Sequence, residues 1–353
     1  MQIKLNRAFT HTLNSLPRGR LHKESITNSC QVPWHHVTVD FNSNILLCDC
    51  DAWLPIPVGK VDDFDSLEDI WNSDIAKFLQ QNIEDKKYTW CAVEHCGVAK
   101  SNINQQKYTL NLNLDESCNL ACPSCRREMR MLDSGPEYET KLNQLNHILR
   151  WLEKFEKPIH ITLSGNGDPL ASKIIRPLIR TYVPKLGQTI KLRTNGLLMK
   201  KLLDDSPMKS SITNYSISVD AGSGEVYEKV RRPGKWEILI DNLEWLKLNK
   251  NNAQVYLDFV IQKDNFKDLP KFIDLCKQFG FNGGVSPLFD WGTWNRTAVL
   301  EPDAYTIKNG TFLDHDVADP IQPEHLKFVK IINNYRTKIS FSPYFTKFFH
   351  AAR

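Results

Sequence analysis

From Tyr108 onward, strand-like and helix-like segments alternate, and that alternation limits the possible folds more than any other feature of the chain. Strand candidates fall at residues 108–114, 159–163, 189–194, 214–219, 255–261 and 282–286. Between the first two, Leu145, Ile148, Leu149, Leu152 and Phe155 recur at helical spacing, and further helices are expected at about 171–181, 236–249 and 268–279. Strand followed by helix, repeated in this way, implies a parallel sheet with right-handed crossovers, either an open α/β fold or a partial barrel. Such folds build their sites from the loops at the C-terminal ends of the strands. After Trp291 the pattern weakens. A helix is expected at about 323–335, and the aromatic tail from Phe341 to Phe349 must pack on something.

The cysteines carry the next constraint. Of nine, at positions 30, 48, 50, 91, 96, 118, 122, 125 and 276, eight lie between residues 30 and 125. No run of about 18 apolar residues exists, so no membrane span is expected. Met1 to Arg20 lacks the apolar core of a secretory signal. The expected compartment is the cytoplasm, where thiols stay reduced, and an odd cysteine count also disfavours a fully paired disulfide framework. Clustered cysteines in such a chain read as metal ligands. The 353 residues, 41% apolar and 24% charged, suffice for one large domain and a small one. A net charge of +4 is too small at this length to argue for nucleic acid.

Before Tyr108 the sequence reads as a separate module. Residues 1–29 have no strong period and form an irregular arm. His36 to Phe41 alternates apolar and polar residues, Asn42-Ser43-Asn44 is a turn signal, and Ile45 to Cys48 is a second apolar run, which together predict a β-hairpin. Ser66 is a candidate N-cap for one helix through about Gln81, with Leu67, Ile70, Trp71, Ile75 and Phe78 on its apolar face. Cys276 sits on an apolar helix face and reads as core. His35 and His36 read as hairpin residues.

Directly after the first strand comes Cys118-Asn-Leu-Ala-Cys122-Pro-Ser-Cys125. Three thiolates this close together can bind three corners of a cubane iron–sulfur cluster, leaving one iron open to another ligand. A structural zinc site takes four protein ligands, which this triplet does not supply locally. The order of the following motifs resembles the radical S-adenosylmethionine (SAM) superfamily. Ser164-Gly165-Asn166-Gly167-Asp168-Pro169 after the second strand is similar to the glycine-rich segment that contacts the SAM methionine group. Arg193-Thr194-Asn195-Gly196 closes the third strand, where members contact the nucleoside, and Ser216-Ile-Ser218-Val-Asp220 closes the fourth. Tyr227 to Arg232 is similar to the segment in which a Ser and an Arg hold the SAM carboxylate, and Asn265 after the fifth strand also fits. Ser124 stands where many members place an aromatic residue before the last cysteine.

Read bottom-up, a glycine-rich turn lets the backbone approach a ligand and offer its N–H groups. Asn195 is also an ordinary turn residue and Asp220 an ordinary helix N-cap. Arg126, Arg127 and Arg130 form either a solvated face or a holding site for an acidic substrate or electron donor.

Cys30-Gln-Val-Pro-Trp34, Cys48-Asp-Cys50 and Cys91-x4-Cys96 resemble the auxiliary-cluster modules called SPASM and twitch domains, together with Gly59 and Ile70-Trp71-Asn72-Ser73. The resemblance implies one auxiliary cluster held by Cys30, Cys91, Cys96 and either Cys48 or Cys50. A zinc-ribbon-like structural site uses the same thiolates.

The resemblance thus implies an α/β fold: a partial (β/α)6 TIM-type barrel at 105–290, a small hairpin–helix cluster module at 30–104, an arm at 1–29 and a C-terminal extension at 291–353. It implies a [4Fe-4S] cluster on Cys118, Cys122 and Cys125, one auxiliary [4Fe-4S] cluster, and SAM held by Gly165, Asn166, Gly167, Asp168, Asn195, Ser218 and Arg231, with Asp220 as the catalytic candidate. The expected activity is reductive cleavage of SAM and hydrogen abstraction from a ribosomally made peptide, leading to a cross-link, epimerisation or oxidation, or else oxidation or rearrangement of a small molecule such as a sugar or cyclitol. A non-catalytic iron–sulfur carrier needs no methionine-binding turn. The expected partners are the substrate and an electron donor such as flavodoxin or ferredoxin, with neither nucleic acid nor a membrane.

Overall fold

In the computed structural model, residues 30–48, 54, 56–91, 107–126, 128–262 and 264–289 are described, with short stretches between 306 and 341. The expected arm, Cys50, Cys96 and most of the helix at 323–335 lie outside these residues. The chain divides into two compact units. The first comprises residues 1–116, 132–166 and 184–189; the second comprises 117–131, 167–183 and 190–353.

The first unit opens with β1 (His36–Val39) and β2 (Asn44–Leu46), an antiparallel pair in which Val39 faces Ile45. The turn between them is held by Asp40, whose carboxylate accepts from the backbone N–H groups of Asn42 and Asn44 at 2.8 Å. That leaves Ser43 at φ 64°, the left-handed region such turns require. A short β3 (Gly59–Lys60) pairs with β2.

In place of the one helix expected after Ser66 there are two, α1 (Leu67–Asn72) and α2 (Asp74–Glu84). Ser73 separates them. Its ψ of 155° is extended, its N–H donates to Ile70 O, and its Oγ accepts from Ala76 N. The expected apolar face holds only in α1, which buries Leu67, Ile70 and Trp71. After the break α2 buries Ala76, Leu79, Gln80 and Ile83, and the expected Ile75 and Phe78 are half-buried, so a single period drawn through Ser73 misplaces the second face.

The hairpin joins the sheet of the βα repeat. β1 runs parallel to β4 (Tyr108–Leu112), with His36 beside Thr109 and Val39 beside Leu112. Next comes α3 (Pro136–Lys154), and β5 (Ile159–Leu163) pairs parallel with β4. Trp71 and Phe155 pack on Tyr108 with ring centroids 5.2 and 5.1 Å away. From α3, Lys141 Nζ donates to Phe41 O and Ser43 Oγ at 2.6 Å, and Trp151 Nε1 donates to Phe64 O at 2.9 Å.

In the second unit, α4 (Arg176–Thr181) starts later than the expected residue 171. Asp168 and Ser172 organise residues 168–175 as turns, with Leu170 N on Asp168 Oδ1 and Ile175 N on Ser172 Oγ, and Pro177 then sits in the first helical turn. β6 (Gln188–Thr194), of which residues 190–194 belong to this unit, is followed by α5 (Met199–Leu203) and β7 (Ile212–Ser218). Then come α6 (Gly224–Val230), α7 (Trp236–Asn249), β8 (Gln254–Ile261), α8 (Leu269–Phe279) and β9 (Asn282–Phe289). β6 through β9 are parallel and pair in sequence order. Leu192, Ile217, Leu257 and Phe259 are buried, and Phe259 meets Phe272 of α8 at 4.9 Å. Each such side chain contributes roughly 1.5–3 kcal/mol. The C-terminal stretch, where no strand was expected, adds a hairpin of β10 (Thr306–Lys308) and β11 (Thr311–Leu313) against β9, and β12 (Ser340–Phe341) parallel to β9. These segments are too short to leave a readable period.

The architecture is therefore the α/β, parallel-stranded class expected of the partial barrel. Among the described residues, no helix is long and apolar enough to cross a membrane.

Candidate active site

The three cysteines of the triplet share one loop in the second unit, and the backbone pins that loop from several directions. Cys118 N donates to Arg130 O at 2.7 Å, Ala121 N to Arg232 O at 2.7 Å, and Cys125 N to Cys122 O at 2.9 Å. Arg232 Nε returns a bond to Ala121 O at 3.2 Å. Cys122 is buried, while Cys118 and Cys125 are half-buried. Burial, with the Asp168 carboxylate behind it, pushes the Cys118 thiol up to about 12. Burial also raises Cys122, with Arg231 acting against it. Thiolates in such a place need a cationic centre, which iron supplies. Among the described residues no three His, Cys, Asp or Glu side chains converge on a single-ion site. Thiolates that each meet a different iron of a cubane need not converge.

Arg231 lies against this loop. Its Nη1 is 3.9 Å from Cys122 Sγ, its Nη2 is 2.6 Å from Asp220 Oδ2, and its buried Nε has no hydrogen-bond partner among the described residues. Asp220 is 2% exposed and sits at φ 56°, a conformation that costs a non-glycine residue about 1–3 kcal/mol. What holds it there is visible: Asp220 Oδ1 accepts from Val260 N at 2.7 Å, and its carbonyl accepts from Asn265 Nδ2 at 3.0 Å. Burial pushes the Asp220 carboxyl up, and Arg231 pulls against that.

Asp168 is buried and fully engaged. Oδ2 accepts from Thr194 Oγ1 at 2.8 Å and from Asn195 N at 2.6 Å, and Oδ1 accepts from Leu170 N at 2.9 Å. Asn195 Nδ2 in turn donates to Asn119 Oδ1, inside the cysteine loop, at 2.8 Å. The second unit thus brings together Cys118, Cys122, Cys125, Asp168, Asn195, Asp220 and Arg231. Ser218 ends β7, half-buried, in register with Asp258.

Gly165 and Asn166 belong to the first unit, where Asn113 organises them. Asn113 Oδ1 accepts from Asn166 N at 3.0 Å. Gly165 has φ +150°, and a Cβ there would overlap Asn113 Oδ1, so only glycine fits. Also in the first unit, Cys30 precedes β1 and Cys48 follows β2, so both lie toward the N-terminal end of β1 and hence of its parallel neighbour β4. Cys91 N donates to Tyr88 O at 3.1 Å beyond α2.

Asn113 escaped the sequence reading because it belongs to no motif, and Asn119 because it fills one of the variable positions between the cysteines of the triplet. So did a pattern that the sequence displays openly. The strands alternate apolar and polar residues, whereas parallel strands covered on both faces are apolar throughout. In the first unit the face opposite Tyr108 carries His36, whose Nε2 is 2.8 Å from Thr38 Oγ1, and His160, whose Nδ1 is 2.9 Å from Thr189 Oγ1. In the second unit the corresponding face carries charges.

The donor set suits the expected groups. Three soft thiol donors on one loop match three cubane corners, and a buried guanidinium with an unpartnered Nε beside them suits an anionic ligand. Comparison with known proteins agrees. A radical SAM superfamily model matches residues 112–276, and a model of the SPASM iron–sulfur cluster-binding domain matches residues 30–97. A probable GTP 3',8-cyclase of Methanocaldococcus jannaschii is 25% identical over 181 residues, 51% of this chain and 59% of that protein. An AdoMet-dependent heme synthase of Methanosarcina barkeri is 27% identical over 168 residues, 47% of this chain and 46% of that protein. A mycofactocin maturase of Mycolicibacterium smegmatis is 25% identical over 171 residues, 48% of this chain and 42% of that protein. The chain thus spans about half the length of the curated relatives it matches.

Proposed function

Because this chain belongs to the radical SAM superfamily and carries a SPASM domain ahead of the radical SAM domain, we propose that it is a radical SAM enzyme acting on a ribosomally made peptide. The observation that carries the radical SAM reading is the pinned cysteine loop with Arg231 set between Cys122 and Asp220. In this reading Cys118, Cys122 and Cys125 hold a [4Fe-4S] cluster, and Cys30, Cys91, Cys96 and one of Cys48 and Cys50 hold an auxiliary one. When bound, the cluster and SAM together supply a 5'-deoxyadenosyl radical that takes a hydrogen atom from the substrate.

The chain's own residues bind, orient and exclude. Arg231 sets a positive charge beside the cysteine loop that favours the SAM carboxylate, held there by its contacts with Cys122 and Asp220. Asp220, expected to be catalytic, is assigned a positioning role instead, because its carboxylate is engaged by Arg231 and Val260 N. Asp168 likewise acts through others, fixing Asn195 against Asn119 of the cysteine loop. In the first unit, Asn113 fixes the backbone of Gly165 and Asn166, the segment that the family resemblance assigns to the methionine group.

The peptide assignment is supported by the pairing of a SPASM domain with a radical SAM domain and by the likeness to a maturase. The relatives named for GTP and heme favour a second reading, a small-molecule substrate. Incubating reduced enzyme and SAM with peptides encoded beside its gene distinguishes the two. A peptide that loses hydrogen by mass, or that takes up deuterium from solvent deuterium oxide at one carbon, in step with SAM cleavage, supports the first reading. Turnover of a small molecule with every peptide unchanged supports the second.

A further inference from the structure

The helix-free face of the second unit's sheet is polar from strand to strand. Register sets Lys191 beside Asn214, Arg193 beside Ser216, and Ser218 beside Asp258. Parallel partners at one level point to one side of the sheet, so these six side chains share a face. The opposite face, with Leu192, Ile217, Leu257 and Phe259, is the one buried under helices. Polar side chains on a sheet face cost free energy unless water or a ligand satisfies them, so this face is built to be wetted or occupied.

Its charges are unevenly committed. Ser216 Oγ donates to Asp258 Oδ2, which fixes that carboxylate on β7's side, and Asp258 lies in the field of Arg193 and Lys191. Arg193 is exposed, and its guanidinium makes no hydrogen bond or ion pair to any described residue, its backbone alone being engaged in the β6–β7 ladder. Lys191 sits two residues along the same strand, about 7 Å away, and Asp258 two strands across and two residues further along, about 12 Å. The two cations and one anion leave the face positive, and the guanidinium fork matches a carboxylate. Asp258 repels a second carboxylate from the β8 side, which restricts where an anion can sit.

We propose that this face is the substrate floor and that it takes its peptide through a carboxylate held by Arg193, with Lys191 adding to the attracting field. The assignment rests on the peptide reading above and names the chemistry that reading leaves open. An acidic side chain and a free C-terminus both supply such a group.

The test uses full-length, anaerobically reconstituted, SAM-loaded protein and fluorescein-labelled dodecapeptides, one glutamate-rich and one its glutamine counterpart, each with a free or amidated C-terminus. Fluorescence anisotropy should show a glutamate or free-acid preference of about tenfold. Arg193→Gln should abolish that preference, and Arg193→Lys should restore part of it. Loss on amidation alone assigns the terminal carboxylate; loss on the glutamine change assigns the side chain. Equal binding of all four peptides overturns the proposal. So does a preference that survives in Arg193→Gln, or an Arg193→Gln variant that loses SAM affinity and keeps the peptide preference. Absence of 5'-deoxyadenosine from the reduced wild-type protein would instead defeat the radical SAM reading, so the two failures are separable.

Discussion

Arg231 is the side chain on which the site's electrostatics turn. Burial opposes its charge, yet Asp220 and the Cys122 thiol hold it firmly protonated. Removing one partner of a buried ion pair strands the other, at a cost of about 3–5 kcal/mol. Asp220→Asn should therefore lower stability by about 3 kcal/mol in urea melts and weaken SAM binding by calorimetry, while the iron content stays that of the wild type. Loss of iron with SAM affinity intact would mean that Asp220 supports the cysteine loop and not the ligand. At this scale the sequence was legible where a motif is local: the triplet spacing, the glycines and Arg231 all stood out. Asn113 and Asn119 did not, because their partners, Asn166 and Asn195, lie 53 and 76 residues away and meet them only through tertiary register. For Asp220 the sequence left a reacting carboxylate and a helix N-cap both open, and its partners in the fold, Val260 N and Arg231, lie 40 and 11 residues further on with no sign of their roles in the chain.

Among the elements, β1 has the most consequence. The hairpin expected to stand in its own module pairs with β4, the first strand of the βα repeat. Backbone bonds from Thr109 N to His35 O at 2.8 Å and from Asn113 N to Val39 O at 3.0 Å run along that seam, and Trp71 packs on Tyr108 beside it. A fragment of residues 105–353 leaves β4 an open apolar edge. It should aggregate on expression, as judged by size-exclusion chromatography; a monomeric, iron-loaded fragment would contradict the pairing's importance. Alternation predicted both strands but not their partnership, since two half-buried strands give no record of which edge they meet. The Ser73 break and the short C-terminal strands were hidden for related reasons. A cap acts through one hydroxyl, and three-residue strands have too few positions to show a period.

At the scale of the whole molecule, the chain joins two thiolate sites that different segments build. Anaerobically reconstituted protein should contain about eight irons, the sum of two cubanes. Replacing Cys91 and Cys96 with Ala should lower this to about four and leave SAM cleavage in place, because the triplet supplies its own ligands. Circular dichroism must accompany that assay, since losing a metal site can unfold a small domain. Stoichiometric zinc beside about four irons would make the first site structural. The central claim is tested most directly by the fate of SAM itself. Dithionite-reduced, reconstituted protein should convert SAM to 5'-deoxyadenosine, measured by liquid chromatography and mass spectrometry, and Cys122→Ala should not. Wild-type protein that carries its iron, binds SAM and yields no more 5'-deoxyadenosine than Cys122→Ala would contradict it.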